Sequence, residues 1–261
     1  MSGRVALVTG AARGIGAATV RQLARDGWRV VAVDLCADDP AVGYPLGKRE
    51  ELAALAAHWP ATVRDVVADV RDADALRAAV GIAVTEFGGL DAAVAAAAVI
   101  AGGKPLWETT DAEWEALFGA GVRGVANLAR AAVPQLLARE RPRSGRFVAL
   151  ASAAAHQGLW HLAGYNAAKH AVVGLIKGLA ADLRGTGVTA TAVSPGSTRT
   201  AMLDASGALY DLADVEDFSG HQLVDRLLEP EEVAAAVCWL CGEHASAVTG
   251  SVLHADGGFG G

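Results

Sequence analysis

The sequence predicts an α/β fold: one doubly wound parallel sheet with helices on both faces. Three observations carry this. Short apolar runs alternate with longer stretches of helical periodicity along the chain. The apolar runs are continuous, as in strands buried on both faces, and do not alternate as half-exposed strands do. No linker, repeat or low-complexity block divides the 261 residues, so residues 1–261 form a single domain.

The elements follow in order. "RVALVTG" (4–10) and "WRVVAVD" (28–34) are rich in β-branched residues and flank a helical stretch at 14–26. "VRDVVAD" (63–69) precedes a helix at 72–86, and "LDAAVAAAA" (90–98) supplies the fourth strand. A helix at 124–139 leads to "GRFVALAS" (145–152), and one at 165–184 leads to "GVTATAVS" (187–194). The helix at 230–241 precedes the seventh strand, "GSVLHAD" (250–256). The connection after the second strand is unusually long. Residues 35–62 turn acidic, pass two prolines, and end in an apolar helix that starts at "REEL".

Composition limits the possible functions. Hydrophobic residues make up 52% of the chain, enough for a large core. A net charge of −7 without a basic run argues against nucleic acid or an anionic membrane as partner. No apolar run has the length of a membrane span, and no signal-type segment precedes the first strand. With three cysteines and no disulfide framework, a reducing cytoplasmic location is expected. Cys238 and Cys241 are spaced CxxC, but they lie in the apolar helical pattern "EEVAAAVCWLCGEH". They read as core residues, and no metal site is expected.

"TGAARGIG" (9–16) follows a strand and opens a helix. Gly10, Gly14 and Gly16 permit a tight turn and a close backbone approach to a pyrophosphate, with Arg13 and Ile15 in the same loop. The helix N-terminus offers N–H groups and a favourable dipole to phosphate. Asp34 ends the second strand about 20 residues further on, where a carboxylate accepts hydrogen bonds from an adenosine ribose, and Leu35 follows it. The carboxylate repels a 2′-phosphate, so NAD is favoured over NADP. Arg13 is the opposing signal, and it has room to point into solvent.

A second constellation is Ser152, Tyr165 and Lys169. In "YNAAK" the tyrosine and lysine stand four residues apart on one helix face. Ser152 ends the fifth strand, at the carboxyl edge where open sheets bind ligands. A free phenol with a pKa of about 10 is a weak base near neutrality, and a nearby ammonium favours the phenolate. Tyr165 is then the general base, Lys169 its activator and a ribose contact, and Ser152 the group that positions the substrate oxygen.

Over essentially its whole length the chain resembles the short-chain dehydrogenase/reductases. The resemblance rests on "TGAARGIG", Asp69-Val70, Ser152, "YNAAK" and "PGSTRT" (195–200). It implies a seven-stranded Rossmann sheet, commonly assembled as a homotetramer, with the helices at 124–139 and 165–184 as the usual dimer-forming pair. It further implies that Asp69, Val70 and Ala96 border the adenosine half, and that Pro195, Gly196, Thr198 and Thr200 border the nicotinamide. Two positions depart from the pattern. Ala95-Ala96-Ala97-Ala98 replaces the usual Asn-Asn-Ala-Gly, and Gly121 stands where an asparagine ordinarily holds a water of the proton relay.

The segment "DLCADDPAVGYPLGKREELAAL" resembles the insertion of a subgroup associated with mycofactocin, a peptide-derived redox cofactor of actinobacteria. This implies NAD that does not dissociate, covered by Tyr44, Pro45 and Leu46, and an external mycofactocin-type electron acceptor. On the substrate side, Val99, Ile100, Trp160, Leu162, Met202, Leu203 and Tyr210 are candidates for an apolar pocket, with 201–225 as the substrate-side segment. His156 and His161 are as readily structural as substrate contacts. The expected activity is that of an NAD-dependent alcohol dehydrogenase or carbonyl reductase acting on a hydrophobic secondary alcohol or ketone. The rival reading is a dinucleotide-binding regulatory or scaffolding protein whose catalysis lapsed with the asparagine.

Overall fold

A computed structural model describes residues 3–260. Seven parallel strands form one sheet: β1 (Val5–Thr9), β2 (Arg29–Asp34), β3 (Val63–Val67), β4 (Ala92–Ala95), β5 (Arg146–Leu150), β6 (Thr189–Pro195) and β7 (Val252–Ala255). Their order is β3-β2-β1-β4-β5-β6-β7. The chain reverses its winding between β1 and β4, which opens a crevice at the carboxyl edge beside β1. The helices are α1 (Gly14–Arg25), α2 (Arg49–Ala57), α3 (Ala73–Phe87), α4 (Asp111–Phe118), α5 (Gly124–Ala138), α6 (Ala163–Asp182), α7 (Ala201–Leu209) and α8 (Pro230–Cys241).

Successive strand residues point to opposite faces, so the continuous apolar runs feed two cores. Val5, Leu7, Val31 and Val33 pack under α3, α5 and α6, and Ala6, Val8, Val30 and Ala32 under α1, α2 and α8. Leu7 is fully buried, and truncating such a leucine to alanine costs about 2–5 kcal/mol. Local chemistry sets the helix ends. Asp72 accepts from the N–H groups of Asp74 and Ala75 to start α3, and Gly88 in the left-handed region (φ 83°) ends it.

The structure differs from the sequence reading in several places. β4 stops at Ala95, because Ala96 and Ala97 turn their N–H groups onto the Thr9 hydroxyl at 3.2 and 3.3 Å. β3 stops at Val67, and β7 covers only Val252–Ala255. The helix expected at 124–139 is preceded by α4 and one wide π-helical turn, Gly119–Arg123. Two of its five residues are glycines, which lack the side-chain packing that holds a regular helix. Cys238 and Cys241 lie within α8 and the core, and burial pushes both thiols up, Cys241 to about 12.

Candidate active site

A cavity of about 650 Å³ runs along the carboxyl edge of the sheet. At one end lies the β1–α1 turn. Gly10 (φ 66°) and Gly14 (φ 57°) adopt backbone that side chains disfavour, and a Cβ on Gly16 would sit 2.0 Å from the Gly10 carbonyl oxygen. Arg13 precedes α1 without capping it, so the first N–H groups of the helix have no side-chain acceptor. Such an uncapped helix start facing a cavity fits a phosphate group.

Asp34 sits beside this turn with its carboxylate fixed from two sides. One oxygen accepts the Ala12 N–H (2.9 Å) and the other the Cys36 N–H (3.2 Å). A carboxylate held here fits ribose hydroxyls and disfavours a further phosphate. Arg13 does not point into free solvent, as the sequence reading allowed. Its guanidinium donates to the Pro45 carbonyl of the inserted segment.

The insertion is tied down along its length. Asp38 accepts the Leu46 N–H at 2.8 Å, and Arg71 bridges Asp39 (2.7 Å) to Asp69 (2.8 Å). Val42 is buried against Val99 and Ala116. The Tyr44 oxygen accepts the Ile100 N–H at 3.2 Å, and its ring packs against both the Val42–Val99 cluster and the cluster that holds Tyr165. Gly47 passes so near Asp34 that an added Cβ would lie 3.0 Å from the carboxylate oxygen. Pro45, expected as apolar cover, is exposed and contributes only its carbonyl. Val42 takes the buried place instead. Asn127, unnoticed in the sequence, donates from its amide to the Val70 and Arg71 carbonyls and so fixes the Asp69–Arg71 loop.

β5 stops at Leu150, short of the expected 152; Ser152 lies two residues beyond it at the start of a 3-10 turn, where its hydroxyl accepts the Ala154 N–H at 3.1 Å. Tyr165 and Lys169 project from one face of α6, both buried, with the ammonium nitrogen 5.6 Å from the phenol ring centre. Lys169 donates to the Leu150 carbonyl at 3.0 Å. Burial pushes Tyr165 up to about 12, partly opposed by the Ser152 hydroxyl, and Lys169 down to about 8. In the protein alone desolvation therefore sets the direction for the phenol, where the sequence reading expected a nearby ammonium to favour the phenolate. Gly121 lies in the π turn, and a Cβ there would meet nothing within 4 Å. At its neighbour Gly124 a Cβ would press on Val70 at 2.7 Å.

Apart from Pro45, the residues that the sequence assigned to binding the cofactor or to catalysis lie along this one cavity, from Gly10 through Ile15, Leu35, Val70 and Ala96 to Pro195, Gly196, Thr198 and Thr200. So do Val99, Ile100, Trp160, Leu162, Met202, Leu203 and Tyr210. His156 and His161 do not line it. His156 rests on His254 (ring centres 4.6 Å apart) and His161 on Trp160 (3.5 Å). Gln157, Asp217, Phe218 and His221 complete the far end without having been singled out in the substrate-side segments, and Phe259 lies outside them. Only the fold brings the chain's last residues there.

The family profile described as "Enoyl-(acyl carrier protein) reductase" matches residues 10–260. The chain belongs to the short-chain dehydrogenase/reductase family. It is an NAD-dependent oxidoreductase. It is 34% identical to (−)-trans-carveol dehydrogenase of Rhodococcus erythropolis, over 99% of this chain and 98% of that protein. An uncharacterized NAD-dependent oxidoreductase of Mycobacterium tuberculosis is also 34% identical, over 99% and 96%. Among solved structures, carveol dehydrogenase from Mycobacterium avium in complex with NAD superposes with a TM-score of 0.92 at 29% identity, covering 99% and 98%.

Proposed function

We propose that this oxidoreductase interconverts a hydrophobic secondary alcohol and its ketone on a retained NAD. One observation carries the reading: Ser152, Tyr165 and Lys169 stand in the same cavity as the glycine turn and Asp34, with apolar walls between. In the proposed mechanism the substrate hydroxyl lies between Ser152 and Tyr165. Ser152 donates to the oxygen and fixes its orientation, and Tyr165 takes the hydroxyl proton. Bound NAD supplies the hydride acceptor and a positive ring charge that favours the phenolate. Lys169 adds its own charge and a hydrogen bond to the nicotinamide ribose. Asp34 would hold the adenosine ribose, Asp69 and Val70 would border the adenine, and Thr198 and Thr200 would border the nicotinamide. In the ketone direction Tyr165 returns the proton.

The insertion supports the retention of the nucleotide. Arg13–Pro45, Arg71–Asp39 and Tyr44–Ile100 are three separate ties across the cavity. A dinucleotide beneath them leaves only after several break together. The reduced form is then reoxidised in place by an external carrier of the mycofactocin type. The carveol-related proteins favour a ring-bearing, terpenoid-sized alcohol. We further propose a homotetramer in which α5 and α6 form the dimer interface, working in the cytoplasm. Among the described residues no helix is long and apolar enough to cross a membrane. The reading is tested by adding such alcohols to purified enzyme and following the absorbance of bound NADH, with Tyr165→Phe as the inactive control.

A further inference from the structure

The substrate end of the cavity is chemically one-sided. Residues 201–222 carry five carboxylates, Asp204, Asp211, Asp214, Glu216 and Asp217, and no lysine or arginine. Among the described residues only Glu216 has a cationic partner, Arg199. Asp217 is exposed and lines the cavity mouth. The cations that line the same cavity are committed elsewhere. Arg13 holds the Pro45 carbonyl, Arg71 holds Asp39 and Asp69, and Lys169 is buried on the Leu150 carbonyl.

The rest of the mouth is aromatic and ordered. Trp160, 70% exposed, stacks on Tyr210 with ring centres 6.0 Å apart, and the Tyr210 hydroxyl donates to the Trp160 carbonyl at 2.6 Å. Phe218 meets Tyr210 edge-on at 6.1 Å, and His221 packs between Phe218 and Phe259. A flat, uncharged ring fits this rim, where it buries apolar surface without losing a hydrogen bond. A carboxylate on the same ring gives up water, finds no free guanidinium or ammonium, and faces Asp217.

We infer that this mouth is a charge filter, with Asp217 as a specificity-determining residue. It admits uncharged cyclic alcohols and ketones and turns away the same skeletons bearing a carboxylate. Acyl thioesters carried on polyanionic carriers, such as coenzyme A or an acidic carrier protein, are turned away for the same reason. The inference rests on the alcohol dehydrogenase reading above and narrows its substrate class.

The test compares 4-hydroxycyclohexanecarboxylate with its methyl ester, which differ in charge and by one methyl group, so the Asp217 variants and added salt isolate the charge. The kcat/KM of each is measured with an artificial electron acceptor present. For the wild type the ester should exceed the acid by about tenfold or more. The ratio should fall severalfold in Asp217→Asn, fall further in Asp217→Lys, and shrink with added salt in the wild type. Equal kcat/KM values in the wild type, or a ratio that neither variant moves, would overturn the filter while leaving the dehydrogenase reading intact. Failure to oxidise either compound or any other neutral cyclic alcohol would overturn both.

Discussion

By the family resemblance Gly121 stands where an asparagine holds a relay water, and the structure leaves room there for a side chain. The space around its Cα is open on the side a Cβ would enter. Gly121→Asn should therefore fold normally and raise the single-turnover rate of alcohol oxidation severalfold, a fraction of the roughly 10²–10⁴-fold that acid–base assistance supplies. Stopped-flow measurement of NADH formation checks this. An unchanged rate in a folded variant means that the proton leaves by another route. Asp34→Ala removes the charged acceptor between the glycine turn and the insertion. NAD affinity should fall by roughly 10- to 100-fold, the worth of a hydrogen bond to a charged group, and NADP should bind relatively better. Titration of nucleotide-stripped protein reads both changes. Lys169 carries a stability signature of its own. Its pKa is lowered from 10.5 to about 8 in the folded protein, so between those values the unfolded chain binds more protons than the native one. Stability therefore rises as the pH climbs through that window. Lys169→Met should lack this rise, which thermal melts of both stripped proteins across the window will show.

At the scale of elements, the segment between β2 and α2 is tied across the cavity. Its contacts are distributed, and Tyr44 is the one that joins it to the catalytic side. Tyr44→Phe leaves the ring in place and strands the Ile100 N–H without an acceptor, a loss of about 1–3 kcal/mol for the closed arrangement. Exchange of bound NAD for labelled NAD should then accelerate, and shortening the Tyr44–Gly47 turn should accelerate it further. Equal exchange rates in wild type and both variants would mean that the insertion does not hold the cofactor. The sequence made this element visible through its length, its prolines and its acidic start. It did not reveal the ties, because Arg13–Pro45 and Arg71–Asp39 join residues about 32 apart and follow no period. The strands were legible for the opposite reason: each is a short apolar run whose partners are set by topology. α4, α7 and the π turn were not, since helices of eight or nine residues and a five-residue turn are too short to show a clear period.

For the whole molecule, the sheet order places the glycine turn, Asp34 and the Ser152–Tyr165–Lys169 set on one edge, although they are spread across 160 residues of chain. That convergence was readable because each motif sits at a strand end or a helix start, where a doubly wound sheet dictates position. The mouth was not readable, because Asp217, His221 and Phe259 gain their meaning only from how the last elements fold back. The proposed tetramer predicts a solution mass about four times 26.5 kDa by light scattering. A monomer would remove α5 and α6 as an assembly face. The most direct test of the central claim is the absorbance of enzyme-bound NADH after a hydrophobic secondary alcohol is added to purified protein. Wild-type enzyme should form about one equivalent per chain and stop until an artificial electron acceptor is supplied, and Tyr165→Phe should form almost none. Equal NADH formation by Tyr165→Phe, or none by the wild type across a panel of such alcohols, would contradict it.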